Sequence, residues 1–145
     1  MPQNEPHEWF GREQLHLAAQ DGDLEQIREL VMAGYPVNAF DELSFTPLHY
    51  AVMGEHFEVA KYLLSVGADV NAHEEDKIGN TPLGEIAGNC SFAMAHLLVE
   101  AGADPTIPGW MQLTALHKAK ARKKVEGKRV YELLESAAKK RHRAP

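Results

Sequence analysis

The chain has 145 residues, 44% of them hydrophobic, with 21 Asp and Glu against 15 Lys and Arg for a net charge of −6. That is enough for one ordinary domain with its own core, and no apolar run approaches the roughly 18 residues that cross a bilayer. The single cysteine, Cys90, excludes an intrachain disulfide; no Cys/His grouping has zinc-site spacing, and the start MPQNEPHEWF lacks the basic and apolar regions of a secretory signal.

One six-residue pattern recurs: EQLHLA from Glu13, TPLHYA from Thr46, TPLGEI from Thr81 and TALHKA from Thr114, at intervals of 33, 35 and 33 residues. The first repeat, 13–45, pairs this short helix with a longer one, in which Leu24, Ile27, Leu30 and Val31 form one stripe. Gly34 ends that helix, because a left-handed residue is needed there and glycine takes it without a Cβ clash. VNAFDELSF follows as a turn-rich finger. Gln14 and Gln20 make this copy polar, as suits a capping repeat.

The second repeat, 46–80, places Pro47 at the first helical position, where its missing N–H is not needed. Its stripe is Phe57, Ala60, Leu63 and Leu64, closed by Gly67. The surplus of the 35-residue interval falls in AHEEDKIGN, so this finger is predicted to protrude beyond its neighbours. The third repeat, 81–113, carries Pro82, the stripe Phe92, Ala95, Leu98 and Val99, then Gly102 and the finger PTIPGWMQL. The fourth, 114–141, has Ala115 in place of proline and keeps Val130, Leu133 and Leu134, with Gly127 in the first stripe place. That displaces its longer helix by two residues and predicts an enlarged, basic turn through KARKKVEG. Eight helices in four antiparallel pairs are expected, in a single domain over 1–145.

A 33-residue period carrying T-P-L-H-x-A resembles the ankyrin repeat. The resemblance covers nearly the whole chain and implies an all-α repeat solenoid of helix-turn-helix units with hairpin fingers. The chain is similar to the compact stand-alone ankyrin proteins common in bacteria. Stacking buries the helix faces that one pair leaves open. The resemblance assigns His16, His49 and His117, which share one repeat position, a structural role. They hydrogen-bond backbone and steady the fingers, with Thr46, Thr81 and Thr114 opening the helices. Gly84 takes the histidine position in the third repeat and is expected to loosen the local network.

Catalytic and metal chemistry find little footing. Histidines one repeat apart stand about 10 Å from each other, too far to share an ion at ~2 Å ligand bonds. Cys90 falls at an inter-helix turn with no base beside it. The run His73, Glu74, Glu75 and Asp76 lacks the EF-hand arrangement. No P-loop, dinucleotide turn or Ser/His/Asp order is present. The expectation is a protein that is not an enzyme and needs no cofactor or metal.

In the ankyrin family, partners bind the concave side through finger tips and first-helix ends, and the register carries those positions onto this chain. At the tips they are Trp9, Phe10 and Arg12; Glu42, Leu43 and Phe45; Lys77, Ile78 and Asn80; Trp110, Met111 and Leu113. At the helix ends they are Gln20 and Asp21; Met53 and Gly54; Gly88 and Asn89; Ala121 and Arg122. Aromatic, Met and Arg groups are the usual anchors of protein interfaces. The resemblance thus implies a scaffold or adaptor for an unidentified protein partner, expected as a monomer, and the lone Cys90 points to a reducing, cytoplasmic compartment. A second reading is a stoichiometric inhibitor, such as a toxin-neutralising immunity protein. Residues 1–117 hold 18 Asp and Glu against 4 Lys and Arg, an acidic body that suits a basic toxin. Residues 118–145 reverse this with 3 against 11, and a third reading has this basic end touch nucleic acid. It lacks interleaved aromatics and a readout motif.

Overall fold

The computed structural model describes residues 8–77 and 79–143, and their side chains from 14 to 141. Eight α-helices occur among them: α1 (Glu8–Asp21), α2 (Leu24–Met32), α3 (Pro47–Met53), α4 (Phe57–Ser65), α5 (Pro82–Ile86), α6 (Phe92–Glu100), α7 (Ala115–Lys120) and α8 (Val125–Arg143). Two 3-10 turns, Glu75–Lys77 and Trp110–Gln112, sit in the second and third fingers. No strand occurs among the described residues, so the expected hairpins are turns rather than ladders. The first and third are each closed by one backbone bond, Asp41 N–H to Phe45 O and Gly109 N–H to Leu113 O, both 2.9 Å.

The short helices begin where the Thr-x-x-His pattern sets them. Thr81 Oγ1 accepts the Gly84 N–H at 2.9 Å, and Thr114 Oγ1 accepts the His117 N–H at 3.1 Å. His49 and His117 return the bond, their Nδ1 atoms accepting the Thr46 and Thr114 N–H groups at 3.0 Å. Each such reciprocal pair satisfies two backbone donors that a helix start leaves open. The longer helices end on Gly34, Gly67 and Gly102, with φ of 92°, 102° and 98°. The next residue then reaches back across the last turn: Tyr35 N–H to Leu30 O, Ala68 N–H to Leu63 O and Ala103 N–H to Leu98 O. This is the Schellman closure that glycine makes without strain.

The chain forms two compact units, Met1–Ala68 and Asp69–Pro145. In the first, α1 packs on α2 and α3, α3 on α4, and α2 on α4. Its core is Leu15, Ile27, Leu48, Val52, Val59 and Leu63, all 2% exposed or less. In the second, α5 packs on α7, α6 on α8, and α7 on α8. Leu83, Met94, Leu98, Val130 and Leu134 are fully buried there.

Three sequence expectations shift. The helix α1 starts at Glu8, so Trp9, Phe10 and Arg12 belong to its first turns rather than to a finger; their side chains lie outside the described residues. The first stripe place is not core: Leu24 and Phe92 are half-buried and Phe57 is exposed, whereas Val59 and Met94, two residues on, are buried. The helix α8 opens at Val125, 33 residues after Phe92 and not displaced by two, and the basic turn before it, 121–124, is shorter than the turn 87–91 of the third repeat. Its buried residues are Gly127, Val130 and Leu134, with Leu133 only half-buried. Gly127 lies against the Arg122 side chain, and a Cβ there would overlap Arg122 Cβ and Nε.

Candidate interaction surface

The first finger is organised by Asp41. Its Oδ1 accepts the Leu43 and Phe45 N–H groups at 2.9 and 3.0 Å, and its Oδ2 accepts the Tyr50 hydroxyl. Burial first, then that bond and the Asp41 charge, push the Tyr50 phenol well above the usual tyrosine value. His16 Nε2 ties the finger to α1, donating to Ala39 O and Phe45 O at 2.9 Å. Asp41 was readable from the sequence only as a turn residue; its Asx geometry is the signal that marks it as the finger's organiser. Around this frame Leu43 is 68% exposed at the tip, Glu42 is exposed beside it, and Met53 is exposed at the end of α3. Phe45 departs from the tip reading: it is half-buried, stacked on His49 at 5.3 Å and edge-on to Tyr50 at 5.5 Å.

The second and third fingers lie in the other compact unit and are fastened to each other. Asn80 Oδ1 accepts the Trp110 N–H at 3.0 Å, and Asn80 Nδ2 donates to Glu85 Oε2 at 2.8 Å. Asn80 is therefore engaged within the fold and half-buried. Asn71 does similar service lower down, donating to Gly102 O and accepting from the Asp104 N–H. On this base Trp110 and Met111 stand 61% and 66% exposed, with Leu113 exposed beside them. Met111 and Gln112 hold φ near 60°, in the left-handed region that few non-glycine residues adopt. On the second finger Glu75, Asp76 and Lys77 are exposed, Lys77 lying 3.6 Å from Glu74. Ile78 lies outside the described residues. Asn89 is exposed in the turn between α5 and α6, as is Gly88, while Cys90 beside them is buried.

Most basic residues of the fourth repeat are exposed, but Lys118, Arg122, Arg129 and Arg141 make contacts within the fold. Lys118 Nζ donates to Gly84 O at 2.6 Å. Arg122 Nη1 donates to Cys90 O at 2.9 Å, so Arg122 clamps the preceding inter-helix turn rather than standing free at a helix end. Arg129 lies over the Phe92 ring at 4.4 Å, and Arg141 meets Asp104 at 3.3 Å. His117 is exposed, unlike His16 and His49, which are buried. Sequence reading missed further exposed apolar groups, Leu17, Met32 and Val125. Their helical neighbours gave no sign of it, because exposure at a stripe edge depends on which helix packs alongside. Among the described residues, no group of three His, Cys, Asp or Glu side chains is placed to hold a metal ion. None of their helices is long and apolar enough to cross a membrane.

The sequence profile of ankyrin repeats in three copies matches residues 15–108. The chain belongs to the ankyrin-repeat family. It is 33% identical over 102 residues to the palmitoyltransferase ZDHHC13 of Homo sapiens, covering 70% of this chain and 16% of that protein. It is 37% identical over 90 residues to the palmitoyltransferase ZDHHC17 of Homo sapiens, covering 62% of this chain and 14% of that protein. The ankyrin-repeat chain thus spans only about a sixth of the length of these relatives, and the stretch it matches is their ankyrin region. Ankyrin repeats are protein-binding modules.

Proposed function

We propose that this chain is a non-catalytic protein-binding module, a single ankyrin-repeat domain that holds a partner protein through its fingers and first-helix ends. The observation that carries this is the third finger. Trp110, Met111 and Leu113 are exposed apolar side chains on a turn that Asn80 and the Gly109–Leu113 backbone bond fasten. A rigid exposed aromatic loses little entropy on binding, and such residues dominate interface energies. Leu43, Glu42 and Met53 in the first compact unit, and Lys77 and Asn89 in the second, are the further contacts of this reading. Trp9, Phe10, Arg12 and Ile78 belong to it by register alone.

The scaffold or adaptor role is preferred over nucleic-acid binding. Lys118, Arg122, Arg129 and Arg141 are spent on internal carbonyl, ring and carboxylate contacts, which leaves fewer cations for phosphate. A toxin inhibitor would use the same fingers, and its basic target would suit the acidic residues of the second finger. A reducing, cytoplasmic setting fits the buried thiol of Cys90, and a monomer is the working state. The test is capture of partners by the tagged chain from its native cells, in parallel with Trp110→Ala and with Lys120→Glu/Lys124→Glu. The reading expects a protein lost with Trp110→Ala and kept by the charge variant. Loss only with the charge variant, accompanied by nucleic acid, overturns it.

A further inference from the structure

We propose that the groove between the second and third fingers is a specificity pocket for one cationic side chain of the bound protein, a lysine or arginine whose apolar neighbour rests on Trp110 and Met111. The proposal rests on the protein-binding reading and names the chemistry of its partner. His73 and Glu75 wall the groove on one finger; Ile107, Pro108 and Gln112 wall it on the other. Its volume is about 170 Å³. At ~30 Å³ of liquid per water that is room for about five or six waters, below the ~300–1,000 Å³ of small-molecule sites. It matches a single side chain.

The lining selects the charge. His73 Nδ1 donates to Asn71 O at 2.8 Å, so in the neutral ring Nε2 keeps its lone pair as an acceptor. Glu74 is engaged by Lys77, the lysine of this finger, while Glu75 lines the groove. Gln112 adds a polar residue to the other wall, and Asp76, next to Glu75 in the chain, is exposed. Ile107 and Pro108 supply the apolar wall along which a lysine or arginine stem lies while its head reaches the carboxylate. A neutral polar or acidic side chain would leave Glu75 unpaired or repelled. The Trp110–Met111 tip, on the same finger as Ile107 and Pro108, takes the next residue of the segment.

The experiment pans two displayed random peptide libraries on the whole chain, one with all residue types and one without Lys and Arg. Enriched peptides are then synthesised and their affinities measured. The expected result is enrichment from the first library alone, with a Lys or Arg beside an aromatic or aliphatic residue. Glu75→Gln then weakens these peptides by about tenfold or more, the scale of a charged hydrogen bond. Replacing the peptide's Arg by citrulline does the same, and the two losses do not add. Glu75 is exposed, so its variants fold; equal melting temperatures check this. Peptides that need Trp110 but are indifferent to Glu75 and to their own charge overturn the pocket and leave the finger reading standing. Peptides indifferent to both Trp110→Ala and Glu75→Gln overturn both, as does enrichment from neither library.

Discussion

Asn80 and Trp110 are joined across two successive fingers: the Asn80 side-chain oxygen accepts the Trp110 backbone N–H at 3.0 Å. The amide fits because Gly109 has no side chain; a Cβ there would overlap Asn80 Oδ1 and approach Cγ to 2.9 Å. A pair that register alone assigns to a partner surface is in part the device that holds that surface still.

Replacing either residue tests this coupling. Asn80→Ala removes the bonds to the Trp110 N–H and to Glu85 and is expected to lower stability by about 1–3 kcal/mol. Gly109→Ala forces the amide out and costs at least as much. In the Asn80→Ala background the two overlapping side-chain atoms are gone and only the tight approach to the residue 80 Cα at 3.2 Å remains, so Gly109→Ala costs less there. Urea unfolding of the four proteins measures the cycle; additive losses would show that the two sites do not touch.

The interior leucines set a larger scale. Leu63 and Leu98 are fully buried at equivalent places in α4 and α6. Alanine at either is expected to cost about 2–5 kcal/mol, a large share of the ~5–15 kcal/mol that a small domain holds. In α8 the fully buried residue is Leu134 and not its half-buried neighbour Leu133. Leu134→Ala therefore lowers the melting temperature more than Leu133→Ala. The opposite order would restore the register read from the sequence.

The repeat period, helix stops and interior leucines were legible because each rests on local chemistry: a proline at N1, a glycine at C′, apolar groups three and four apart. What was not legible depends on neighbours distant in sequence. Phe45 has the same apolar character as Leu43, and only the His49 and Tyr50 rings decide that one packs and the other projects. Arg122 and Lys118 read as solvated cations until carbonyls of the previous repeat, more than 30 residues away, receive them. That Gly127 lies against Arg122, and that Leu134 rather than Leu133 is fully buried, is likewise not encoded in a helical periodicity.

Alkaline pH isolates the first finger. Tyr50 must keep its proton to donate to Asp41, and its folded value lies above the usual 10.0. Below about pH 10 the phenol is neutral folded and unfolded, and its contribution is fully present. Above that, the unfolded chain gives up the proton while the folded chain holds it, so stability falls as pH rises toward the folded value. Urea midpoints taken from about pH 8 to 11 are expected to fall more steeply for the wild type than for Tyr50→Phe. Equal slopes would remove the Asp41 bond from the account.

The exposed tip separates binding from folding. Trp110 is 61% exposed and its backbone, not its ring, is what Asn80 holds. Trp110→Ala should therefore melt close to wild type while weakening a captured partner by about 2–4 kcal/mol, the range of interface hot spots. Asp76→Lys acts differently: it slows association and changes its salt dependence more than it speeds dissociation, because an exposed charge steers encounter. Lys61→Glu, on the outward side of α4, serves as the control and leaves binding unchanged. Surface plasmon resonance across several salt concentrations, with melting curves on each variant, reads all three. Should Trp110→Ala unfold the chain, the ring is core and the finger surface is misassigned; should only Lys61→Glu abolish binding, the partner sits on the longer helices instead.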